Sequence, residues 1–184
     1  ELHQHVSSPV YGSERLLQAS STGFTPYEPD PDDIAFLQHS SGTTGPKKGV
    51  ALSHRAVLNH LASYSDALTM TEEDVIVSCL PLYHDMGQIA GFLLPLIQGV
   101  SLVLMSPFDW VRHPALLLQA IHDYKGTLCW LPNFAYNHCA RRIRKRDSEG
   151  LSLASMRAFI NCSEPVRSES HAMFAERFAD NGVT

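Results

Sequence analysis

The sequence predicts an α/β fold in which alternating strands and helices form a mostly parallel, layered sheet. From residue 34 onward, short apolar runs alternate with longer segments whose apolar side chains recur at helical spacing. The chain has 184 residues, of which 44% are hydrophobic and 18% charged. That length and composition suit one folded domain with a substantial core.

The elements follow one another along the chain in a regular order. Residues 1–33 are rich in Ser, Thr, Pro and Asp and show no sustained period, so we expect an irregular approach segment. Strands are predicted at 34–37, 75–80, 101–105, 127–131 and 157–161. Helices are predicted after a Ser53 cap and then at 87–98, 114–124, 134–146 and 167–179, with Pro114 in a first turn and Gly182 ending the last helix.

Charge and cysteine usage exclude several classes of protein. The formal net charge of −5 lacks the positive field of a nucleic-acid binder, and no apolar run reaches the roughly 20 residues of a membrane span. Cysteines are widely spaced and include no Cys-x-x-Cys pair; they are Cys79, Cys129, Cys139 and Cys162. We therefore expect free thiols, mostly buried, rather than disulfides or zinc ligands, and a cytoplasmic location.

A glycine-rich stretch at 38–50 follows a predicted strand and precedes a predicted helix. Its glycines let the backbone approach a ligand closely, and consecutive N–H groups with hydroxyl side chains can bind an anion. Lys48, with Lys47 beside it, supplies positive charge for a polyphosphate. The spacing is not that of the usual P-loop. The alternative from composition alone is a flexible polar loop with two solvated lysines.

Three further segments lie where predicted strands end, which is where ligands collect in an open parallel sheet. In segment 80–87, His84 could orient a carboxylate, although an isolated histidine is more often an ordinary half-buried residue. Segment 131–136 contains Phe134 and Tyr136, which taken alone would be core aromatics. Segment 161–165 precedes a helix, so a plain strand-to-helix cap is the alternative to a ligand contact.

Taken in order, these motifs resemble the adenylate-forming (AMP-binding) superfamily, in particular the fatty acyl-AMP ligases and the related long-chain acyl-CoA synthetases. Ser-Ser-Gly-Thr-Thr-Gly-x-x-Lys-Gly at 40–49 is similar to its phosphate loop, with Lys47 where proline is usual. Tyr-His-Asp-Met-Gly at 83–87 and Pro-Asn-Phe-Ala-Tyr at 132–136 resemble the ligases' acyl-side motifs. Ser-Glu-Pro at 163–165 resembles the segment that lies against adenine.

The resemblance implies a role for each matching residue. Lys48 and His84 would be the catalytic pair. The ATP phosphates would be bound by Ser40, Ser41, Gly42, Thr43, Thr44, Gly45 and Lys48. The acyl pocket would contain Tyr83, His84, Met86, Gly87, Asn133 and Phe134, and the adenine side Ser163, Glu164 and Pro165. No metal ligand is predicted within the chain, because the family's main Mg²⁺ ligand is expected outside it.

The implied reaction activates a fatty acid with ATP to give acyl-AMP and pyrophosphate, for transfer to an acyl carrier protein. An acyl-CoA synthetase using CoA as acceptor, or a non-catalytic nucleotide- or acyl-binding homologue, are the alternatives. We expect residues 34–184 to be part of the N-terminal AMP-binding domain, without the small C-terminal domain. We therefore expect the 184 residues alone not to turn over.

A basic cluster at 141–146 ends a predicted helix. Cations are favoured at that position by the helix dipole, so a solvated face is the simplest interpretation. A contact with a carrier protein or a nucleotide is one alternative. A regulatory or interaction domain that uses this cluster is another.

Overall fold

Six strands occur in the computed structural model, which describes residues 13–20, 22–39 and 49–183. They are β1 (Ile34–His39), β2 (Gly49–Ser53), β3 (Val75–Ser78), β4 (Ser101–Leu104), β5 (Leu128–Pro132) and β6 (Ala158–Cys162). The last four form one parallel sheet in the order β4-β3-β5-β6, and β1 and β2 form a separate antiparallel pair. The predicted parallel α/β sheet is therefore confirmed.

Nine α-helices are described. They are α1 (Ser13–Leu17), α2 (His54–Leu68), α3 (Asp85–Gln88), α4 (Leu94–Gln98), α5 (Pro107–Arg112), α6 (Ala115–Tyr124), α7 (Asn133–Arg142), α8 (Lys145–Ser148) and α9 (Ser168–Arg177). A π-helical turn, Ile89–Leu93, joins α3 to α4, and a 3₁₀ turn, Ala179–Asn181, follows α9. The first 33 residues, predicted to be irregular, contain α1 within their described part.

Helices cover both faces of the parallel sheet, and the side chains of β5 alternate between the two layers. Cys129 and Leu131 pack in a cluster with residues of α6, α7 and α9. Leu128 and Trp130 point to the opposite cluster, which includes Leu61 of α2 and residues of α4. All four side chains are buried, as expected for an inner strand of a parallel sheet.

The first strand, β1, is not part of the parallel sheet. The strand predicted at 34–37 is β1, and it pairs with β2 outside the parallel sheet, from Ile34↔Ser53 to His39↔Gly49. β2 itself was not predicted, and it places an extra strand between the glycine-rich stretch and α2. The helix predicted to follow this stretch is α2, which begins after Ser53. Residues 40–48 lie outside the described residues.

Two helix predictions differ from the structure in ways that the sequence explains. The helix predicted at 87–98 begins at Asp85 and is interrupted by the π-helical turn, in which the N–H of Leu94 donates to Ile89 O. Pro95 follows directly and has no N–H to contribute, so the wider turn lies where an α-helical bond would be lost. The helix predicted at 134–146 ends at Arg142 because buried Ile143 leaves the helical conformation.

Local signals placed the ends of other helices correctly. Ser53 was predicted to cap α2, and its Oγ accepts a hydrogen bond from the Ala56 N–H at 3.2 Å. Pro114, predicted in the first turn of α6, occupies its N-cap position, one residue before the helix begins. Gly182 ends the final turn with a φ of 95°, a left-handed value that favours glycine.

A buried ion pair closes the end of the parallel sheet at which the strands begin. Asp74 is 2% exposed and lies just before β3. The Arg157 Nη1 atom donates to both of its carboxylate oxygens, at 2.7 and 2.6 Å, and the Thr127 hydroxyl donates at 2.6 Å. Nη2 of Arg157 also donates to the Leu68 carbonyl at the end of α2. One carboxylate thus connects α2, β3, β5 and β6.

The cysteines are free and mostly buried, as the sequence predicts. All four thiols are free; Cys79, Cys129 and Cys139 are buried, and Cys162 is half-buried. Within the described ranges, no helix is both long enough and apolar enough to cross a bilayer.

Candidate functional site

A cavity of about 440 Å³ opens at the carboxyl ends of the parallel strands. We call it the strand-end cavity. Four segments line it: the loop after β3, the helix α5 after β4, the junction of β5 and α7, and the loop after β6. Its lining consists of Cys79, Leu80, Pro81, Tyr83, His84, Pro107, Phe108, Trp110, Val111, Pro132, Phe134, Ser163 and Glu164. This edge of a parallel sheet is the usual location of a ligand site.

His84 is the histidine in this lining, and its ring is anchored at the start of α3. The Nδ1 atom lies 3.3 Å from the Met86 N–H and 2.7 Å from Asp85 Oδ1. An unprotonated Nδ1 accepts from Met86, whose N–H also donates to Asp85 Oδ1 at 2.7 Å, and a protonated Nδ1 donates to Asp85. When Nδ1 accepts, or when the ring is doubly protonated, Nε2 carries a hydrogen that can be donated to a carboxylate.

The neighbouring motif residues support this turn instead of lining the cavity. Gly87 is buried, and a Cβ added to it would lie 2.1 Å from the Pro81 carbonyl oxygen. Met86 packs against the core cluster that contains Ile76 and Trp130. Both were predicted as acyl-pocket residues, and the structure places them behind the cavity wall.

Asn133 was also predicted to line the acyl pocket, yet it is 6% exposed and faces a polar network behind the cavity. Its Oδ1 accepts from the Arg167 N–H at 3.0 Å and from Asn161 Nδ2 at 3.2 Å, and its Nδ2 donates to Ser170 Oγ at 3.1 Å. Asn161 Nδ2 also donates to His171 Nε2 at 2.7 Å. The network therefore links the start of α7 to β6 and α9 below the site.

Two residues predicted for the adenine side, Ser163 and Glu164, lie on the same cavity as the predicted acyl residues. Glu164 Oε2 accepts from the Phe134 N–H at 2.8 Å, so it satisfies a free donor at the start of α7. Ser163 has a φ of 70°, a strained value for a residue with a side chain. Pro165 follows Glu164 but is not part of the lining.

The α5 wall was not predicted from the sequence. Pro107, Phe108, Trp110 and Val111 come from a six-residue helix directly after β4. Ser106 caps this helix by accepting from the Asp109 N–H at 3.3 Å, and proline occupies its first turn. A Ser-Pro-x-Asp start signal was therefore present in the sequence. The Trp110 and Phe134 rings approach to 6.1 Å between centroids and join the α5 and α7 walls.

Several lining side chains are large, apolar and exposed. Tyr83 is 81% exposed, Phe108 69% and Phe134 47%. Exposed apolar side chains grouped around a concave surface are typical of a binding site for an apolar ligand. Burial, together with the nearby Cys139, raises the pKa of the Cys79 thiol to about 12, so Cys79 lines the cavity as a neutral group.

The predicted phosphate-binding residues, from Ser40 to Gly45 together with Lys48, lie outside the described residues. Across the parts of the chain that the structure covers, no group of three or more His, Cys, Asp or Glu side chains could hold a metal ion.

Comparison with known proteins identifies the family of this chain. The family model for AMP-binding enzymes matches residues 3–184. The chain belongs to the AMP-binding enzyme family. This agrees with the resemblance found in the motifs, and the solved relatives below have the same fold.

Three relatives of this AMP-binding enzyme chain are informative. The medium-chain-fatty-acid acyl-carrier-protein ligase JamA of Moorena producens is 34% identical over 170 residues, which are 92% of this chain and 29% of that protein. The long-chain-fatty-acid–AMP ligase of Mycolicibacterium smegmatis is 36% identical over 168 residues, or 89% and 26%. A crystal structure of the L. pneumophila fatty acyl-adenylate ligase with acyl adenylate and pyrophosphate is 40% identical, with a TM-score of 0.85 and coverage of 89% and 29%. The chain thus spans less than a third of each relative.

Proposed function

We propose that the protein containing this chain is an acyl-activating ligase that adenylates a fatty acid with ATP. The observation that carries the proposal is the strand-end cavity, which combines an apolar, aromatic lining with the anchored histidine His84. The likeness to a fatty acyl-adenylate ligase solved with acyl adenylate and pyrophosphate supports it. Since the chain spans less than a third of its relatives, the reaction belongs to the whole protein.

In this reaction, an oxygen of the fatty-acid carboxylate forms a bond to the α-phosphorus of ATP. The bond from that phosphorus to the bridging oxygen breaks, and pyrophosphate leaves with the electron pair. Such a transfer depends mainly on positioning and on stabilising charge. The Nε2–H of His84 would hold the carboxylate at the cavity mouth. Lys48 would counter the charge of the departing pyrophosphate, a role that rests on its match to the family's phosphate loop.

The cavity lining favours an acyl chain over a polar substrate. Tyr83, Phe108, Trp110 and Phe134 form most of its surface together with aliphatic and proline side chains. Burying each methylene of a fatty acid against such a lining contributes about 0.8 kcal/mol. Glu164 at the rim already accepts the Phe134 N–H, so it holds the start of α7 beside the acyl site.

Three finer assignments accompany this proposal. We assign the acyl acceptor as an acyl carrier protein, supported by relatives described as acyl-carrier-protein ligases in Moorena producens and Teredinibacter turnerae. Mg²⁺ would accompany the nucleotide, and its main ligand is expected beyond this chain. The cytoplasmic location stays a prediction, with which the free thiols are consistent.

The full-length protein, given ATP and a fatty acid, should form acyl-AMP that mass spectrometry detects. Given both holo-acyl carrier protein and CoA, it should acylate the carrier protein. Acylation of CoA alone would make the carrier-protein assignment wrong and favour an acyl-CoA synthetase. Binding of ATP or fatty acid without acyl-AMP formation would favour a non-catalytic homologue.

A further inference from the structure

A second cavity, of about 680 Å³, lies next to the strand-end cavity and has a different character. We call it the arginine cavity. Its basic side chains are Arg112 at the end of α5, Arg141 and Arg142 at the end of α7, and Arg144, which precedes α8. His113 and Gln119 also line it, and Asp147 is its carboxylate. Cations from three separate elements therefore converge on one concave surface.

The positive charge of this surface is only partly neutralised. Asp147 pairs with Arg144 at 2.8 Å and with Arg146 at 3.5 Å. In the portions of the chain that the structure covers, the guanidinium groups of Arg112, Arg141 and Arg142 have no ion pair or hydrogen bond, and all three residues are exposed. Five of the 14 lysines and arginines lie between residues 141 and 146, in a chain whose net charge is −5. This concentration creates a positive patch on an otherwise acidic protein.

Helix α5 connects the two cavities. Its residues Phe108 and Trp110 line the strand-end cavity, whereas Arg112 lines the arginine cavity. Six residues of α-helix extend about 9 Å, so the two openings are close neighbours. His138 of α7 also contacts this helix, with its Nε2 3.0 Å from the Val111 carbonyl oxygen. A partner held at the arginine cavity would therefore lie beside the proposed acyl site.

The extent of the patch favours a protein surface over a small anion. Lys145 and Arg146 continue the positive charge beyond the cavity lining, and both are exposed. A row of guanidinium groups is suited to several carboxylates presented side by side, because each can form a bidentate contact. Charge complementarity of this kind determines how fast and in which orientation two proteins associate.

We propose that the arginine cavity, with Arg112, Arg141 and Arg142 at its centre, is the docking surface for an acidic face of the acyl carrier protein. The inference rests on the acyl acceptor assigned above. A carrier docked there would lie beside α5, which forms one wall of the proposed acyl site. In this proposal the basic cluster at 141–146 contacts a carrier protein and is not merely a solvated face.

Direct binding tests this without requiring turnover. The full-length protein is titrated into each fluorescently labelled holo-acyl carrier protein encoded in the same genome, at several salt concentrations. For the carrier that binds, Arg141→Glu and Arg112→Glu should each raise Kd about tenfold or more and flatten its salt dependence. Lys125→Glu makes the same change of charge at an exposed lysine outside the cavity and should leave Kd within about twofold. Fatty-acid-dependent ATP–pyrophosphate exchange is measured on the same variants and should be unchanged.

The outcomes separate this proposal from the proposed function. Equal Kd values for Arg141→Glu, Lys125→Glu and the unaltered protein overturn the docking surface, as does the absence of binding to every carrier protein tested. Loss of pyrophosphate exchange in both cavity variants overturns it too, because the arginines would then support the adenylation site. Absence of exchange in the unaltered protein counts against the proposed function, while the Kd comparison still decides the docking surface.

Discussion

At the scale of single residues, His84 illustrates how local backbone structure positions a reactive group. One ring nitrogen is occupied by the start of α3, through the Met86 N–H or the Asp85 carboxylate. The other nitrogen stays available at a cavity whose remaining lining is largely apolar. A hydrogen bond from Nε2 to a substrate carboxylate would be charge-assisted and stronger than one between neutral groups.

Replacing this histidine should affect fatty-acid activation more than ATP binding. A hydrogen bond to a charged group contributes about 1.5–3 kcal/mol, so His84→Ala should lower kcat/KM for the fatty acid by about 10- to 100-fold. Steady-state pyrophosphate exchange measures this, and the Kd of ATP should stay unchanged. His60→Ala, at an exposed position on α2, is the matched control. An unchanged kcat/KM in His84→Ala would remove His84 from the site.

At the scale of elements, the short helix α3 depends on a close approach of two backbone segments. Gly87 packs directly on the Pro81 carbonyl, where any side chain would overlap it. Gly91 similarly faces Ser78, since an added Cβ would lie 2.5 Å from Ser78 Oγ. The loop after β3 is thereby fixed against the helix that carries the His84 anchor.

Gly87→Ala should destabilise the protein and displace this loop. The added methyl group would lie 2.1 Å from Pro81 O, and overpacking of this kind costs about 1–3 kcal/mol. We expect a lower Tm by differential scanning fluorimetry and a higher KM for the fatty acid. Gly49→Ala, whose added Cβ would meet its nearest neighbour at 3.8 Å, should leave the Tm nearly unchanged. Equal Tm values for the two variants would contradict the close packing described for α3.

The elements also show where sequence reasoning succeeds and where it stops. The start of α2 could be predicted because the Ser53 cap acts locally. The pairing of β1 with β2 could not, because strand partners depend on contacts that no local pattern records. The α5 wall was missed although Ser106 and Pro107 form a start signal, since six residues are too few to show a period.

For the site itself, motif order predicted which segments meet but not which side chains face the cavity. Tyr83, His84 and Phe134, predicted for the acyl pocket, and Ser163 and Glu164, predicted for the adenine side, line one cavity. Asn133 and Met86 belong to the same motifs but point away from it. The direction of a side chain depends on the exact start of a helix, which a sequence pattern locates only to within a few residues.

At the scale of the whole molecule, one end of the parallel sheet is open at a cavity and the other is closed by a buried ion pair. The carboxyl ends carry the strand-end cavity, whereas the opposite end is closed by Asp74 and its partners. Burial would raise the pKa of Asp74, but the hydrogen bonds from Thr127 and Arg157 outweigh it and lower the pKa below its usual value. The carboxylate is therefore charged in the folded protein throughout the neutral range.

This ion pair predicts a loss of stability in acid. Because the folded-state pKa of Asp74 is lowered, its contribution is complete above the unfolded-state value of about 4 and is lost as pH falls through the folded-state pKa. Asp74→Asn should lower the free energy of unfolding by about 2–3 kcal/mol at pH 7, since it leaves Arg157 without its charged partner.

Urea unfolding at pH 7 and at pH 3 measures both effects. The difference between Asp74→Asn and the unaltered protein should shrink at the lower pH. Asp32→Asn is the control, because Asp32 also pairs with an arginine, Arg55, but at the surface, where both side chains are more than half exposed. A difference for Asp74→Asn that is equally large at both pH values would contradict the assigned charge state.

The central claim is that this chain belongs to a protein that adenylates fatty acids. The most direct measurement is incorporation of labelled pyrophosphate into ATP by the full-length protein, with and without fatty acid. We predict incorporation that requires the fatty acid and is lost in Lys48→Ala, while Lys47→Ala retains it. Incorporation that is absent, or that proceeds equally without fatty acid, would contradict the claim.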